Sequence, residues 1–181
     1  MELTTIGVPL LIFLIIIITW WIITYNNFQD FIIKINEAEA NIDSILRKRF
    51  DLLTRSISVL KPHIEKKENL FKDLHDLKKE KLSNFDLDRK LYEAINELNL
   101  YKEKYPEIKS VEGLIKIDAG LNNSEIEIIS SRKYYNDTIT DYNKTVKSFP
   151  SNIIAFFYKY KHRNFYDDKD MTDDIKNDFK L

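Results

Sequence analysis

The chain has 181 residues, with 28 lysines and arginines against 29 aspartates and glutamates, three glycines and no cysteine. The absence of cysteine excludes disulfides, thiolate metal ligands and a cysteine nucleophile. A net charge of -1 argues against nucleic acid as a partner, because such a partner requires an excess of positive charge. So few glycines leave little material for hairpin turns or phosphate-binding loops, which predicts a mostly helical single domain.

Residues 6–25 form an apolar run, IGVPLLIFLIIIITWWIITY, within a longer window that is free of charged residues. A helix of this length spans roughly 30 Å, the thickness of the hydrocarbon core of a bilayer. Aromatic residues typical of the membrane interface lie at its end: Trp20, Trp21 and Tyr25. We therefore predict a single-pass anchor over residues 1–29 in the cell membrane, with the lipid bilayer as a partner.

The charges that flank this run predict its orientation. The N-terminal flank offers the α-amine and Glu2, whereas Lys34, Arg47, Lys48 and Arg49 follow the run. The positive-inside rule places the following domain in the cytoplasm and the N-terminus outside. A cleaved signal peptide fits less well, because no basic residue precedes the run and no small-residue cleavage site follows it.

Apolar residues at helical spacing continue beyond the run and predict four amphipathic helices. The first continues from the membrane segment to Pro62, and the second follows Pro62. The third is predicted to have Asp86 as its cap and to end at Pro106; the last has Ser110 as its cap and ends at Pro150. The last helix carries an apolar residue at every seventh position: Leu114, Leu121, Ile128, Tyr135, Tyr142 and Phe149.

These elements predict an all-α fold, in which the transmembrane helix precedes an antiparallel four-helix bundle with long, coiled-coil-like helices. The bundle domain is expected over residues 30–166. A short apolar piece, residues 153–158, is expected to fold back over the end of the bundle. Residues 167–181 are acidic and polar, and we predict that they form a disordered tail.

Two stretches combine residues at spacings that chance rarely supplies: IDSILRKRFDLLTRSISVLK, residues 42–61, and SRKYYNDTITDYNKTVKSFPSNIIAFF, residues 131–157. In both, the chain resembles the LemA family of bacterial membrane-anchored helical proteins. The resemblance implies one N-terminal anchor, a helical bundle and no established enzymatic activity. The signature residues of the second stretch are expected to be structural: Tyr135, Asn136, Tyr142, Asn143, Phe149 and Pro150.

Six charged residues lie at or near inward positions of the predicted first and last helices: Asp43, Arg49, Asp51, Asp118, Glu125 and Arg132. A buried charge costs several kcal/mol unless it is paired, so these residues predict a polar belt across the bundle. Arg132 is expected to pair with Glu125, Asp43 or Asp51. The belt is interpreted chiefly as an ionic layer that fixes the register of the helices. The alternative is a site that binds an anion or relays protons.

A second segment with two interpretations is FFYKYKHRNFY, residues 156–166, which mixes aromatic and basic residues. Its aromatic residues are interpreted chiefly as a cap on the bundle core. The alternative is a surface that contacts lipid headgroups or an acidic partner.

No sequence motif for catalysis, metal or cofactor binding is present. None of the three histidines has a glutamate three residues before it, and the phosphate-loop and Gly-x-Ser-x-Gly patterns are absent. We therefore expect no enzyme and no cofactor, and a scaffold that docks other membrane or envelope proteins; a homo-oligomer is compatible with the sequence. A signalling or sensor adaptor is the alternative. About five residues precede the run, and so short a segment disfavours a ligand sensor that acts alone. An enzyme that uses the polar belt is the third hypothesis.

Overall fold

The computed structural model describes residues 2–63, 77 and 82–166. Within these residues the chain forms four α-helices and no strand, which confirms the all-α fold. The helices are α1, Glu2–Leu60; α2, Asn84–Lys104; α3, Glu112–Lys147; and α4, Ser151–Tyr158. Two short 3-10 helices, Lys61–His63 and Pro106–Ser110, follow α1 and α2.

Helix α1 runs for 59 residues without a break, so the apolar segment continues directly into the domain, as the periodicity predicted. It ends at Leu60, because Pro62 cannot donate a backbone hydrogen bond and disfavours helical geometry at the residue before it. The predicted second helix after Pro62 and the predicted tail lie outside the described residues. Leu77 is the exception, and it is helical and buried.

Two predicted helix caps are wrong. The N-cap of α2 is Ser83, not Asp86, because the extended backbone of Ser83 lets its hydroxyl accept a hydrogen bond from the Asp86 backbone N–H at 3.1 Å. Ser110 does not cap α3 either. Its hydroxyl donates to the carbonyl of Glu107 and thereby belongs to the preceding 3-10 helix, so α3 begins at Glu112.

The chain divides into two compact units, to which α1 and α3 both contribute. We call the described residues within 2–37 and 135–166 the terminal unit. The described residues within 38–134 form the central unit.

In the central unit, α1 and α3 are antiparallel and approach closely at two glycines. A Cβ atom on Gly113 would lie 3.2 Å from the Val59 side chain, and one on Gly120 would lie 3.1 Å from the Leu52 side chain. The two glycines are seven residues apart, as are their two neighbours on α1. The contacts at these glycines therefore repeat every seven residues along both helices.

In the terminal unit, α1, α3 and α4 share a core that contains Phe28, Ile139 and Tyr142, together with Ile154 and Ala155 of α4. The predicted apolar piece is therefore a helix with one buried face. Phe28, the first residue of the helically spaced apolar stripe that follows the span, belongs to this core.

The heptad line on α3 is buried over most of its length. Leu114, Leu121, Ile128 and Tyr142 are buried and Tyr135 is half-buried. The same spacing predicts that Phe149, the last residue of the line, is a core residue. That prediction is wrong, since its side chain is 81% exposed. Helix α3 ends at Lys147, so the helical repeat no longer places the residue at position 149 on the inner face.

The first two thirds of the apolar segment of α1 have no covering partner among the described residues. Every side chain from Ile6 to Ile18 is exposed, including Phe13 at 59% and Ile16 at 59%. By its length and composition this helix is able to cross a membrane.

Candidate functional site

The candidate site is centred on Arg49, the largest fully buried side chain among the described residues. Arg49 follows Ile35 and Ile42 at seven-residue intervals on α1, and all three are completely buried. The same periodicity that buries the two isoleucines therefore carries a guanidinium into the interior of the central unit. A guanidinium stays charged, so burial requires carboxylates or other acceptors around it.

Three residues from two other helices supply these acceptors. The Arg49 Nε donates to the hydroxyl of Ser124 on α3 at 3.1 Å, and its Nη2 donates to the carboxylate of Glu125. Its Nη1 donates to Oδ1 of Asp88 on α2 at 3.4 Å. The Ser124 hydroxyl in turn donates to the carbonyl of Leu121, which fixes its lone pairs toward Arg49.

Asp88 bridges two arginines. While its Oδ1 accepts from Arg49, its Oδ2 accepts from Nη2 of Arg132 on α3. The Asp88 side chain is 3% exposed, whereas those of Arg132 and Glu125 are 31% and 43% exposed. We call Arg49, Asp88, Glu125 and Arg132 the buried ion cluster. It holds two positive and two negative charges, and it extends to the surface at Arg132 and Glu125.

The structure thus brings together three of the six residues of the predicted polar belt: Arg49, Glu125 and Arg132. The other three lie elsewhere. Asp118 pairs with Lys102 at 2.8 Å, Asp43 pairs with Arg47 at 2.8 Å in an exposed i,i+4 pair, and Asp51 is exposed.

Arg132 contacts the carboxylate of Asp88, which was not among its expected partners Glu125, Asp43 and Asp51. Glu125 contacts Arg49, and Asp43 contacts Arg47. Sequence reasoning missed Asp88, although it lies three residues before Leu91 and ten before Leu98. Both leucines are fully buried on α2. That spacing was the available signal, because it places Asp88 on the buried face of the helix.

The charge balance of the cluster favours its structural interpretation. Each guanidinium already contacts a carboxylate, which leaves no excess of positive charge for an anion. The part of the chain that the structure describes contains no group of three or more His, Asp and Glu side chains that could hold a metal ion. The cluster instead ties α1, α2 and α3 together through directional contacts whose loss leaves a charge without its partner.

The signature asparagines have a different role, in the terminal unit. The side-chain amide of Asn143 donates to the carbonyl of Arg163 and accepts from its N–H, both at 2.8 Å. Asn136, seven residues earlier on α3, accepts from the N–H of Tyr166 at 2.8 Å. The two asparagines therefore hold the non-helical segment after α4 against α3.

The tyrosines that precede these asparagines pack beside the same segment. The ring of Tyr135 meets that of Tyr166 edge-on, with centroids 6.0 Å apart. The ring of Tyr142 lies 5.8 Å from the Arg163 guanidinium. Burial raises the pKa of Tyr142 above its usual value, and the charge of Arg163 opposes that rise.

An apolar surface in the central unit lies on α3. Ile126 and Ile129 are 68% and 55% exposed, and their spacing places them on one face of the helix. Beside them is a groove of about 460 Å³ lined by Asn41, Ser44, Ile45, Ile126, Glu127, Ser130 and Ser131. We call Ile126 and Ile129 with this groove the α3 groove. Ile126 and Ile129 thus form a small exposed apolar patch on this face of α3.

Comparison with known proteins gives one family. The model of the LemA family matches residues 38–179, which is most of the chain. No curated protein matches the chain.

Proposed function

The chain belongs to the LemA family, and from that premise we propose that it is a membrane-anchored helical scaffold, a protein-interaction module of the cell envelope. One observation carries the proposal. A single helix, α1, presents an uncovered apolar segment at one end and supplies core residues to the domain at the other. Such a helix has its apolar segment in lipid and keeps the domain at a fixed distance from the membrane. The proposal assigns the protein no catalytic role.

The side of the membrane follows from basic residues near the end of the apolar segment. Lys34 lies on α1 within three turns of that end, and the segment between Asp141 and Asp167 contains five lysines and arginines and no acidic residue. This segment belongs to the same unit as the end of the apolar segment. Positive charge is retained on the cytoplasmic side, so the proposal places the domain in the cytoplasm.

Orientation is tested with a single cysteine, since the natural chain has none. Lys116→Cys places the thiol at an exposed position of α3. In intact cells it is expected to resist a membrane-impermeant maleimide and to react after the cells are opened. Reaction of this cysteine in intact cells would mean that the domain lies outside the cell, which contradicts the proposed orientation.

The α3 groove is the surface where we expect a partner protein. A photo-crosslinking amino acid at Ile126 is expected to give a discrete adduct of the full chain in its membrane. The same amino acid at Lys116, an exposed position three turns earlier on α3, is the matched control and is expected to give none. Ile129→Lys should abolish the adduct at position 126. Equal adducts at both positions, or an adduct that survives Ile129→Lys, would contradict docking at this groove.

The continuity of α1 also favours a second function, that of a signalling adaptor. In such an adaptor a rotation of the apolar segment is transmitted along the helix to Arg49. Insertion of one alanine between Ile16 and Ile17 rotates the preceding part of the helix by about 100° relative to the rest. If the protein is a scaffold, the variant with the insertion is expected to complement a deletion strain as well as the natural chain does. An adaptor loses that ability while it remains in the membrane.

A further inference from the structure

Helix α4 is apolar on two faces, only one of which is covered. Ile154 and Ala155 are buried in the core of the terminal unit, whereas Phe156 and Phe157 are 81% and 64% exposed. The segment was interpreted from sequence as a cap whose aromatic residues belong to the core. In the structure Ile154 and Ala155 take that role, with Tyr160 partly buried against them, while the rings of the two phenylalanines stay outside.

Phe157, whose ring meets that of Phe156 with centroids 6.1 Å apart, lies at the level of α1 where the apolar segment ends. The Phe157 ring contacts that of Trp21, with centroids 5.3 Å apart, and the Tyr158 ring contacts that of Tyr25 at 4.8 Å. Trp21 and Tyr25 form the last turn of the apolar segment and are separated by about 6 Å along the helix axis. If that segment crosses a bilayer, α4 lies at the boundary between headgroups and acyl chains.

Contacts on both sides hold α4 at this level. Its own buried face fixes it to the core, and just beyond it Gln29 donates from Nε2 to the Tyr160 hydroxyl at 2.7 Å. The two hydrogen bonds between Asn143 and Arg163 then fix the segment that follows. The exposed phenylalanines are therefore held in place rather than carried on a free end.

The charge around α4 suits an anionic membrane surface. Between Asp141 and Asp167 the chain has no acidic residue and five basic residues: Lys144, Lys147, Lys159, Lys161 and Arg163. Lys159 and Lys161, which directly follow α4, are exposed. A basic residue near an anionic membrane surface is attracted to it, and aromatic side chains favour the interface beneath it.

From these contacts we propose that α4 is an interfacial helix and forms a second membrane contact of the protein. Phe156 and Phe157 enter the boundary between headgroups and acyl chains, and Lys159 and Lys161 contact anionic lipid headgroups. The inference rests on the proposed anchor, because the level of α4 is set by the end of the apolar segment. We assign the lipid bilayer as the partner of the exposed face of α4, because its rings continue the apolar surface of that segment through Trp21.

The test uses the full chain in vesicles of phosphatidylcholine and phosphatidylglycerol. A single cysteine carrying an environment-sensitive fluorophore is placed by Phe156→Cys, Ile12→Cys or Glu37→Cys. Position 12 lies inside the apolar segment, and position 37 lies about 18 Å beyond Tyr25 along α1. Quenching by lipids with a nitroxide near the headgroup, by lipids with a deep nitroxide and by aqueous iodide is measured at each position. Circular dichroism verifies that each variant stays helical.

The proposal expects strong quenching by the shallow nitroxide at position 156, by the deep nitroxide at position 12 and by iodide at position 37. Quenching by iodide at position 156, with position 12 still in lipid, overturns the interfacial helix and leaves the anchor intact. Protection at position 156 from lipid and water alike also overturns it and indicates a protein on this face. Quenching by iodide at position 12 overturns the anchor itself. Replacing phosphatidylglycerol by phosphatidylcholine should weaken the shallow quenching at position 156.

Discussion

The side-chain amide of Asn143 forms two hydrogen bonds with the backbone of Arg163, twenty residues further along the chain. An amide side chain has both a donor and an acceptor, and here both are used on one peptide segment. Asn136 repeats half of this arrangement at Tyr166, one heptad earlier on α3. The tyrosine–asparagine pairs of the family signature are therefore a clamp that returns the chain after α4 to α3.

Asn143→Ala is expected to open this clamp. The substitution leaves the N–H and the carbonyl of Arg163 without their partner, and such a loss costs about 1–3 kcal/mol when the groups are buried. Hydrogen exchange of the Arg163 amide should accelerate, while exchange in the middle of α2 stays unchanged. Asn152→Ala, which removes an exposed asparagine side chain of α4, is the matched control and should have no such effect. Equal exchange in the two variants would contradict the clamp.

Asp88→Asn is expected to destabilise the central unit by about 3–5 kcal/mol, because it removes the carboxylate that two guanidiniums share. Asp43→Asn is the matched control. It breaks the exposed pair with Arg47 and should change the free energy of unfolding by less than about 1 kcal/mol. Urea unfolding of the full chain in detergent micelles, followed by circular dichroism, measures both. A cost below about 1 kcal/mol for Asp88→Asn would mean that Arg49 finds another counter-charge.

Two phenylalanine truncations separate the core from the surface. Phe28 is fully buried and its ring contacts Tyr142 and Tyr160, so Phe28→Ala should destabilise the protein by about 3–5 kcal/mol. Phe149→Ala removes a mostly exposed ring and should change the free energy of unfolding by less than about 0.5 kcal/mol. The same urea titration compares them. A larger loss for Phe149→Ala than for Phe28→Ala would restore the heptad prediction that the structure overturns.

Alkaline pH is expected to weaken the terminal unit through Tyr142. Because burial raises the pKa of Tyr142 in the folded state above its unfolded value of about 10, the folded state favours the neutral phenol. This contribution to stability is fully present below the unfolded pKa and is lost as the pH rises through the folded pKa. Tyr142→Phe should reduce the loss of stability at alkaline pH, whereas the exposed control Tyr92→Phe should not. Unfolding at a series of pH values, with tyrosinate absorbance, measures this difference.

Much of this fold follows from periodicity in the sequence. The uninterrupted α1, the ends of the helices near Pro62, Pro106 and Pro150, and the buried heptad line on α3 were all predictable. These features depend on contacts within a helix or on the repeat of one, and both are local properties of the chain. The two wrong caps differ from the structure by a few residues, because several polar residues near each helix start compete for the same backbone N–H groups.

The site was less predictable because it depends on pairing between helices. A heptad pattern identified Arg49, Glu125 and Arg132 as inward charges, but it does not identify which residue of another helix meets them. Asp88 was found only when α2 was placed beside α1 and α3. The exposure of Phe149 and Phe156 could not be predicted either, because a large apolar residue gives the same sequence signal in a core and at a membrane surface.

The most direct test of the account is alkaline carbonate extraction of membranes from cells that make the full chain. The account predicts that the chain stays in the membrane pellet. Replacing Ile12, Ile15 and Ile16 together by aspartate should release it, because each central charge costs about 2.5–3.5 kcal/mol in the bilayer. The matched control replaces the exposed Ile115, Ile126 and Ile129 of the domain by aspartate and should leave the chain in the pellet. Recovery of the unaltered chain in the supernatant would contradict the membrane anchor.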